Sequence, residues 1–118
     1  MVEPVEEGEV AIAGERLDDE LHAARIRVKR ARYAAELASH ELGRPGTRFV
    51  TRAKALQEIL GEHQDATVAE ERLRAWANEG QTDAAIRLIQ LEGERKRVAR
   101  GAWPDAWKEL RRAGKRIE

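Results

Sequence analysis

His22-Ala-Ala-Arg-Ile-Arg-Val-Lys-Arg-Ala-Arg-Tyr33 contains neither glycine nor proline and is built largely from alanine, arginine and lysine, so it reads as helix interior. At roughly 100° per residue, His22, Arg25, Lys29 and Arg32 fall on one narrow stripe, with Tyr33 and Glu36 at its edges. Leu21, Ala24, Val28, Ala31 and Ala35 lie on one side of that stripe, Ile26 and Leu37 on the other. A cationic stripe between two apolar flanks is not an ordinary solvated face. It reads as the wall of a charged groove held near other helices, in want of an anion.

Upstream of this stretch, residues 1–14 hold Pro4, Gly8 and Gly14 among Glu3, Glu6, Glu7 and Glu9, which predicts a flexible acidic tail. Asp18 or Asp19 would cap the helix. Downstream, the helix is expected to run to about Leu42, stop at Gly43 and turn through Arg44-Pro45-Gly46. A second helix starts near Thr47 or Arg48, with Phe49, Ala53, Leu56, Ile59 and Leu60 on its buried face. Arg48, Arg52 and His63 sit at the edge of that face. Gly61 weakens the helix, and Asp65 is a cap for a restart. A third helix carries Val68, Leu73 and Trp76 inward and ends at Gly80. Thr82 or Asp83 opens a fourth through Ile86, Ile89 and Val98, ending near Gly101. Pro104 suits the first turn of a fifth, anchored by Trp107 and Leu110. The expected fold is all-α: an antiparallel bundle of four to five helices over residues 15–118.

With 118 residues the chain supports one domain and a modest core. Cysteine is absent, no apolar run approaches a membrane span, and the acidic N-terminus lacks a signal-peptide pattern; a cytoplasmic protein is expected. Net charge is zero but unevenly spread. Residues 22–54 carry nine bases and two acids, and residues 95–117 the same; residues 1–21 carry eight acids and one base, and residues 55–94 nine acids and three bases. Such blocks either neutralise one another across the fold or bring the bases together on a polyanion.

Enzymatic and metal chemistry find little support. His22, His40 and His63 form no ligand pair at helical spacing, and Arg25 stands three residues after His22, where a second ligand would be needed. No zinc-protease, dinucleotide, phosphate-loop or serine-hydrolase motif is present. Ser39 and His40 are adjacent and point apart on a helix. The acids follow helix starts and solvated faces, and no carboxylate cluster for Mg²⁺ stands out. No catalytic residue, metal or cofactor is expected. Tyr33, Trp76, Trp103 and Trp107 read as packing residues, and Arg27 and Arg30 as solvated. Burying Arg25, Lys29 and Arg32 unpaired would be costly, and Glu36 neutralises only one of them.

Leu21-His22-Ala-Ala-Arg25-Ile-Arg-Val-Lys29-Arg30-Ala-Arg32-Tyr33-Ala-Ala-Glu36-Leu37 resembles the signature helix of the CHAD family, the conserved histidine α-helical domain. A second match, Leu56-Gln57-Glu58-Ile59-Leu60-Gly61-Glu62-His63-Gln64-Asp65 and then Val68, follows at the family's usual interval. The resemblance implies an all-helical fold of two similar repeats around a basic cavity, of which this chain is similar to one, the second. It implies binding of inorganic polyphosphate, association with polyphosphate granules and no catalysis. His22, Arg25, Lys29 and Arg32 would line the cavity, with Arg52 and Lys54 contributing from the next helix. With Arg48 and His63 from the edge of the second helix, the candidate polyphosphate-binding set is His22, Arg25, Lys29, Arg32, Arg48, Arg52, Lys54 and His63. A single repeat implies a homodimer that rebuilds the pair about a two-fold axis, or the remainder of a longer CHAD protein. Two rival readings are a nucleic-acid-binding helical protein and a structural protein–protein module whose cations pair with the acidic block at 58–71.

Overall fold

The computed structural model describes residues 4–80 and 82–117, with side chains from Gly14 onward. The fold is all-helical. Among the described residues there are three helices: α1 Pro4–Leu37, α2 Ser39–Asn78 and α3 Thr82–Lys115. They form a flat bundle of 56 × 33 × 17 Å. Both α1 and α3 pack on α2, and among the described residues no Cα of α1 comes within 8 Å of one in α3. The pairs Glu62–Arg95 and Arg52–Glu109 fix α3 antiparallel to α2.

The expected four to five helices are therefore three, because two predicted breaks do not break. The helix runs straight through Gly61 and Asp65. One interior glycine costs only about 1 kcal/mol, and Leu56, Leu60 and Ala66 are buried on either side of it. It also runs through Gly101 and Pro104. Proline removes a single backbone bond, and Trp103, Ala106 and Leu110 pack into the core around it. The break at Gly43 is real. Gly43 has φ 61° and ψ −143°, a conformation effectively reserved for glycine. Gly46 follows because a Cβ there would stand 2.5 Å from that of Leu42. Backbone hydrogen bonds Ala38 N→Ala34 O at 3.1 Å and Leu42 N→Ala38 O at 3.0 Å carry the α1 path to Leu42, as expected, across a one-residue irregularity at Ala38.

At the other end, α1 begins at Pro4, so the stretch read as a tail at 1–14 is helical from residue 4, and Asp18 lies inside the helix rather than at its cap. Residues 1–3, and the side chains before Gly14, lie outside the described residues.

Leu21, Val28, Ala53, Leu56, Leu60 and Leu110 form the core, with Leu17, Ala24, Phe49, Trp103 and Ala106 against it. These are the predicted faces of the first two helices. The face of α3 differs: Ile86 and Val98 are exposed, while Ala85, Lys96, Ala99, Leu110 and Ala113 are buried. Small residues let α3 lie close to α2, and the large apolar residues that signalled a face point outward. Tyr33, expected in the core, is 46% exposed with the Arg32 guanidinium 4.6 Å above its ring. Trp76 and Trp107 are also partly exposed, and Trp103 alone of the three tryptophans packs against the core.

Candidate functional site

The antiparallel path gathers the charge blocks by sign. One end of the bundle is made of residues 25–37 of α1, 39–60 of α2 and 103–117 of α3; these stretches hold fourteen lysines and arginines against five acids. Leucines of α1 and α2 and Leu110 of α3 meet in one core, which fixes the three stretches at the same level. Glu15, Asp18 and Asp19 of α1 and Glu71 of α2 share a cleft toward the opposite end. Bases outnumber acids at the first end, while Arg95, Lys96 and Arg100 of the second basic block are paired with acids of the neighbouring helices.

On the basic side, α1 and α2 leave a groove of about 370 Å³ between them. Arg25 and Arg32 line it from α1, and Lys54, Gln57, Glu58, Gly61, Glu62 and Asp65 from α2. On α2, Lys54, Glu58, Gly61 and Asp65 recur at four-, three- and four-residue steps, one helical stripe. Arg25 crosses α2 over Gly61, with its Nε 3.7 Å from where a Cβ would stand. Arg25 Nε, Arg32 Nε and Gln57 Oε1 are buried without a hydrogen-bond partner, and all three belong to this groove. Arg32 donates to Glu36 at 3.0 Å, so Glu36 does neutralise one cation of the stripe. Buried donors without acceptors are uncommon and costly; here the side chains line the cleft while these atoms are closed to solvent.

The groove brings together Arg25, Arg32 and Lys54. The other five candidates stand elsewhere. Lys29 is exposed on the same α1 stripe, one turn from Arg25, outside the groove lining. His22 is exposed in a separate cleft beside Glu15, Asp18, Asp19 and Glu71. Arg48 is exposed, and Arg52 reaches Glu109 of α3 at 3.9 Å. Arg52 and Lys54 are two residues apart, about 200° around a helix, so the groove that takes one excludes the other. Ile26 and Leu37 are exposed, so the cationic stripe has an apolar flank on one side only.

His63 is a correction. It is 1% exposed, inside the bundle rather than at the groove. Its position, seven after Leu56 and three after Leu60, is that of the core face. Its Nε2 accepts from Arg100 Nε at 3.1 Å, which requires that nitrogen to carry no proton. Burial pushes the imidazole below its ordinary pKa; the Asp18 charge works against this, and Arg100 and Lys96 add to it. His63 is therefore neutral, although Asp18 Oδ1 lies only 3.4 Å away. Asp18 of α1 accepts from Lys96 Nζ at 3.0 Å and from Arg100, both on α3. Burial alone would raise the Asp18 carboxyl, but the hydrogen bonds and charges of Lys96 and Arg100 outweigh it and hold it below its usual value. Four polar side chains thus join three helices. The sequence offered no sign of this cluster, since Asp18 reads as a cap and His63 as a groove-edge residue.

Sequence reading also missed Gln57, Glu58 and Glu62 as groove residues, and placed Asp65 at a helix start. Their shared stripe with Lys54 was the available signal. Among the described residues no three of His, Asp and Glu converge on a metal position, and no helix is long and apolar enough to cross a membrane.

The class is thus an all-helical bundle, flat, with a basic end and a groove of mixed charge beside it. The family model described as CHAD domain matches residues 5–74, more than half of the chain, and the chain belongs to that family. No curated protein and no solved structure gives a match.

Proposed function

We propose that this chain binds inorganic polyphosphate, without catalysis, at its basic pole, with Arg25, Arg32 and Lys54 of the α1/α2 groove and the neighbouring Lys29 as principal contacts. The observation that carries the reading is the convergence of the bases of residues 25–54 with those of residues 103–117, far apart in sequence, on one end of the bundle. CHAD membership supports the choice of ligand. A polyphosphate presents about one charge per phosphate, and cations one turn apart on a helix follow one another at about 5.4 Å. Successive point charges, forked for arginine and mobile for lysine, suit such a polymer better than a shaped pocket does. Arg48, Arg52 and the basic C-terminal part of α3 extend the field around the contact residues.

Two copies related by a two-fold axis, or a companion repeat in a longer chain, would enlarge the basic surface into a cavity. Cytoplasmic residence and association with polyphosphate granules belong to the same reading.

The test is retention on immobilised long-chain polyphosphate, with duplex DNA as competitor at equal phosphate concentration. Arg25→Glu with Arg32→Glu is expected to abolish retention while leaving the circular dichroism spectrum unchanged. Displacement by DNA at equal phosphate would overturn the choice of polyphosphate in favour of nucleic acid. Light scattering with and without the polymer tests the dimer.

A further inference from the structure

The two outer helices are held apart. Both α1 and α3 pack on α2, yet among the described residues no Cα of one comes within 8 Å of a Cα of the other. A slot runs between them over α2, holding two adjoining cavities of about 260 and 190 Å³. Phe49, Leu56 and Leu60 of α2 line its floor. Ala24, Val28 and Ala31 line the α1 wall, and Trp103, Trp107 and Leu110 the α3 wall. Trp107 is 42% exposed, a large aromatic side chain that the fold leaves uncovered.

The slot has the dimensions of a helix. Its lining on α3 runs from residue 103 to residue 114, three turns or about 16 Å. Helices pack at axial separations of about 8–10 Å. Three helices whose outer two do not touch occupy three corners of a four-helix arrangement, and the open corner takes a further helix laid along α2.

Charge selects which helix. Arg27 on the α1 wall and Arg111 on the α3 wall are the only charged residues that line the slot. Both are exposed, and neither forms an ion pair among the described residues. They stand at the end of the bundle where fourteen lysines and arginines face five acids. A second copy presenting the same face would set arginine against arginine. A helix with an apolar stripe and acidic flanks satisfies the floor and the rim together.

We propose that the slot between α1 and α3 docks an amphipathic helix of a partner protein, its apolar stripe on Val28, Trp103 and Trp107 and its acidic flanks on Arg27 and Arg111. Helices held in this way present anchors at i, i+3 or i+4, and i+7, and tryptophan and arginine are the side chains on which binding energy concentrates. Arg25 and Arg27 are two residues apart, about 200° around α1. The slot therefore opens on the other side of α1 from the polyphosphate groove, and the proposal does not rest on the polyphosphate reading.

The probe is a fluorescein-labelled peptide of leucine, alanine and glutamate, about five helical turns long, with leucines at helical spacing. Its binding is followed by fluorescence anisotropy at about 0.15 M salt, where the wider field of the basic end is screened. A scrambled peptide of the same composition and a peptide with lysine for each glutamate are the controls. The amphipathic glutamate peptide is expected to bind saturably, and at least about tenfold more tightly than either control. Trp107→Ala should weaken it about tenfold. Arg27→Glu with Arg111→Glu should reverse the preference toward the lysine peptide, and circular dichroism checks the fold of each variant. No binding of the glutamate peptide, or equal binding of its scrambled form, overturns the docking site. A dimer in light scattering that the glutamate peptide does not dissociate would assign the slot to a second copy, and overturns it too.

Discussion

Asp18→Asn removes one charge and keeps the shape of the side chain, and it should cost this bundle a large part of its stability. Asp18 is 18% exposed and is the carboxylate on which Lys96 and Arg100 converge. Lys96 is 10% exposed, and without Asp18 its nearest acid is Glu70 at 3.8 Å. Removing one partner of a buried ion pair typically costs about 3–5 kcal/mol, because the other charge stays buried. Arg100 is 31% exposed and can turn to water, which brings the expectation to about 2–4 kcal/mol. That compares with a total of about 5–15 kcal/mol for a domain, and corresponds to roughly 10 °C in melting temperature. Urea unfolding followed by circular dichroism measures it. Lys96→Met on the Asp18→Asn background should recover more than half of the loss, since the stranded cation is then gone. A single variant losing less than about 1 kcal/mol, or a double variant losing the sum of the two, would refute a network organised on this carboxylate.

The same cluster sets a pH dependence. The folded state depresses the proton affinity of His63 chiefly by burying it, so the unfolded chain takes the proton first. Stability from this group is present above about pH 6.5 and declines as pH falls below it. Asp18, also depressed, adds a second loss below about pH 4. Urea midpoints between pH 8 and pH 5 should therefore fall in wild type and flatten in His63→Gln. Gly43→Ala places a side chain at φ 61° and ψ −143° and should destabilise by about 1–3 kcal/mol in thermal melts. Gly61→Ala should do the opposite, by about 0.5–1 kcal/mol, since its Cβ meets only Arg25 Nε at an ordinary 3.7 Å; destabilisation there would mean that Arg25 packs more tightly on α2. Retention of the wild type on polyphosphate should drop steeply with salt, and each removed contact (Lys54→Ala, for instance) should reduce the log–log slope by about 0.7.

Helical class, the core faces of α1 and α2 and the Gly43 turn were readable because each rests on local chemistry. Alanine-rich runs without breakers and leucines at helical spacing act within a few residues of themselves. The failures share a cause. Gly61 and Pro104 read as ends because their local cost is real, yet neighbouring leucines and a tryptophan that bury themselves across helices outweigh it. The face of α3 was misread because size was taken for burial, whereas Ala85, Ala99 and Ala113 are buried and Ile86, Leu91 and Val98 are exposed.

The site divides the same way. Arg25 and Arg32 belong to a stripe visible in one helix. That Lys54 joins them while Arg52 does not follows from which side of α2 meets α1, a matter of packing. His63 and Lys96 are buried only because Asp18, some 45 and 78 residues away in sequence, is brought between them. Composition and periodicity determined that this chain forms long helices with two basic blocks, since those properties depend on near neighbours. Which bases cancel and which gather depended on the direction in which each helix packs on the next: the antiparallel bundle set Arg95, Lys96 and Arg100 on Glu62 and Asp18, and brought residues 25–54 and 103–117 to one end.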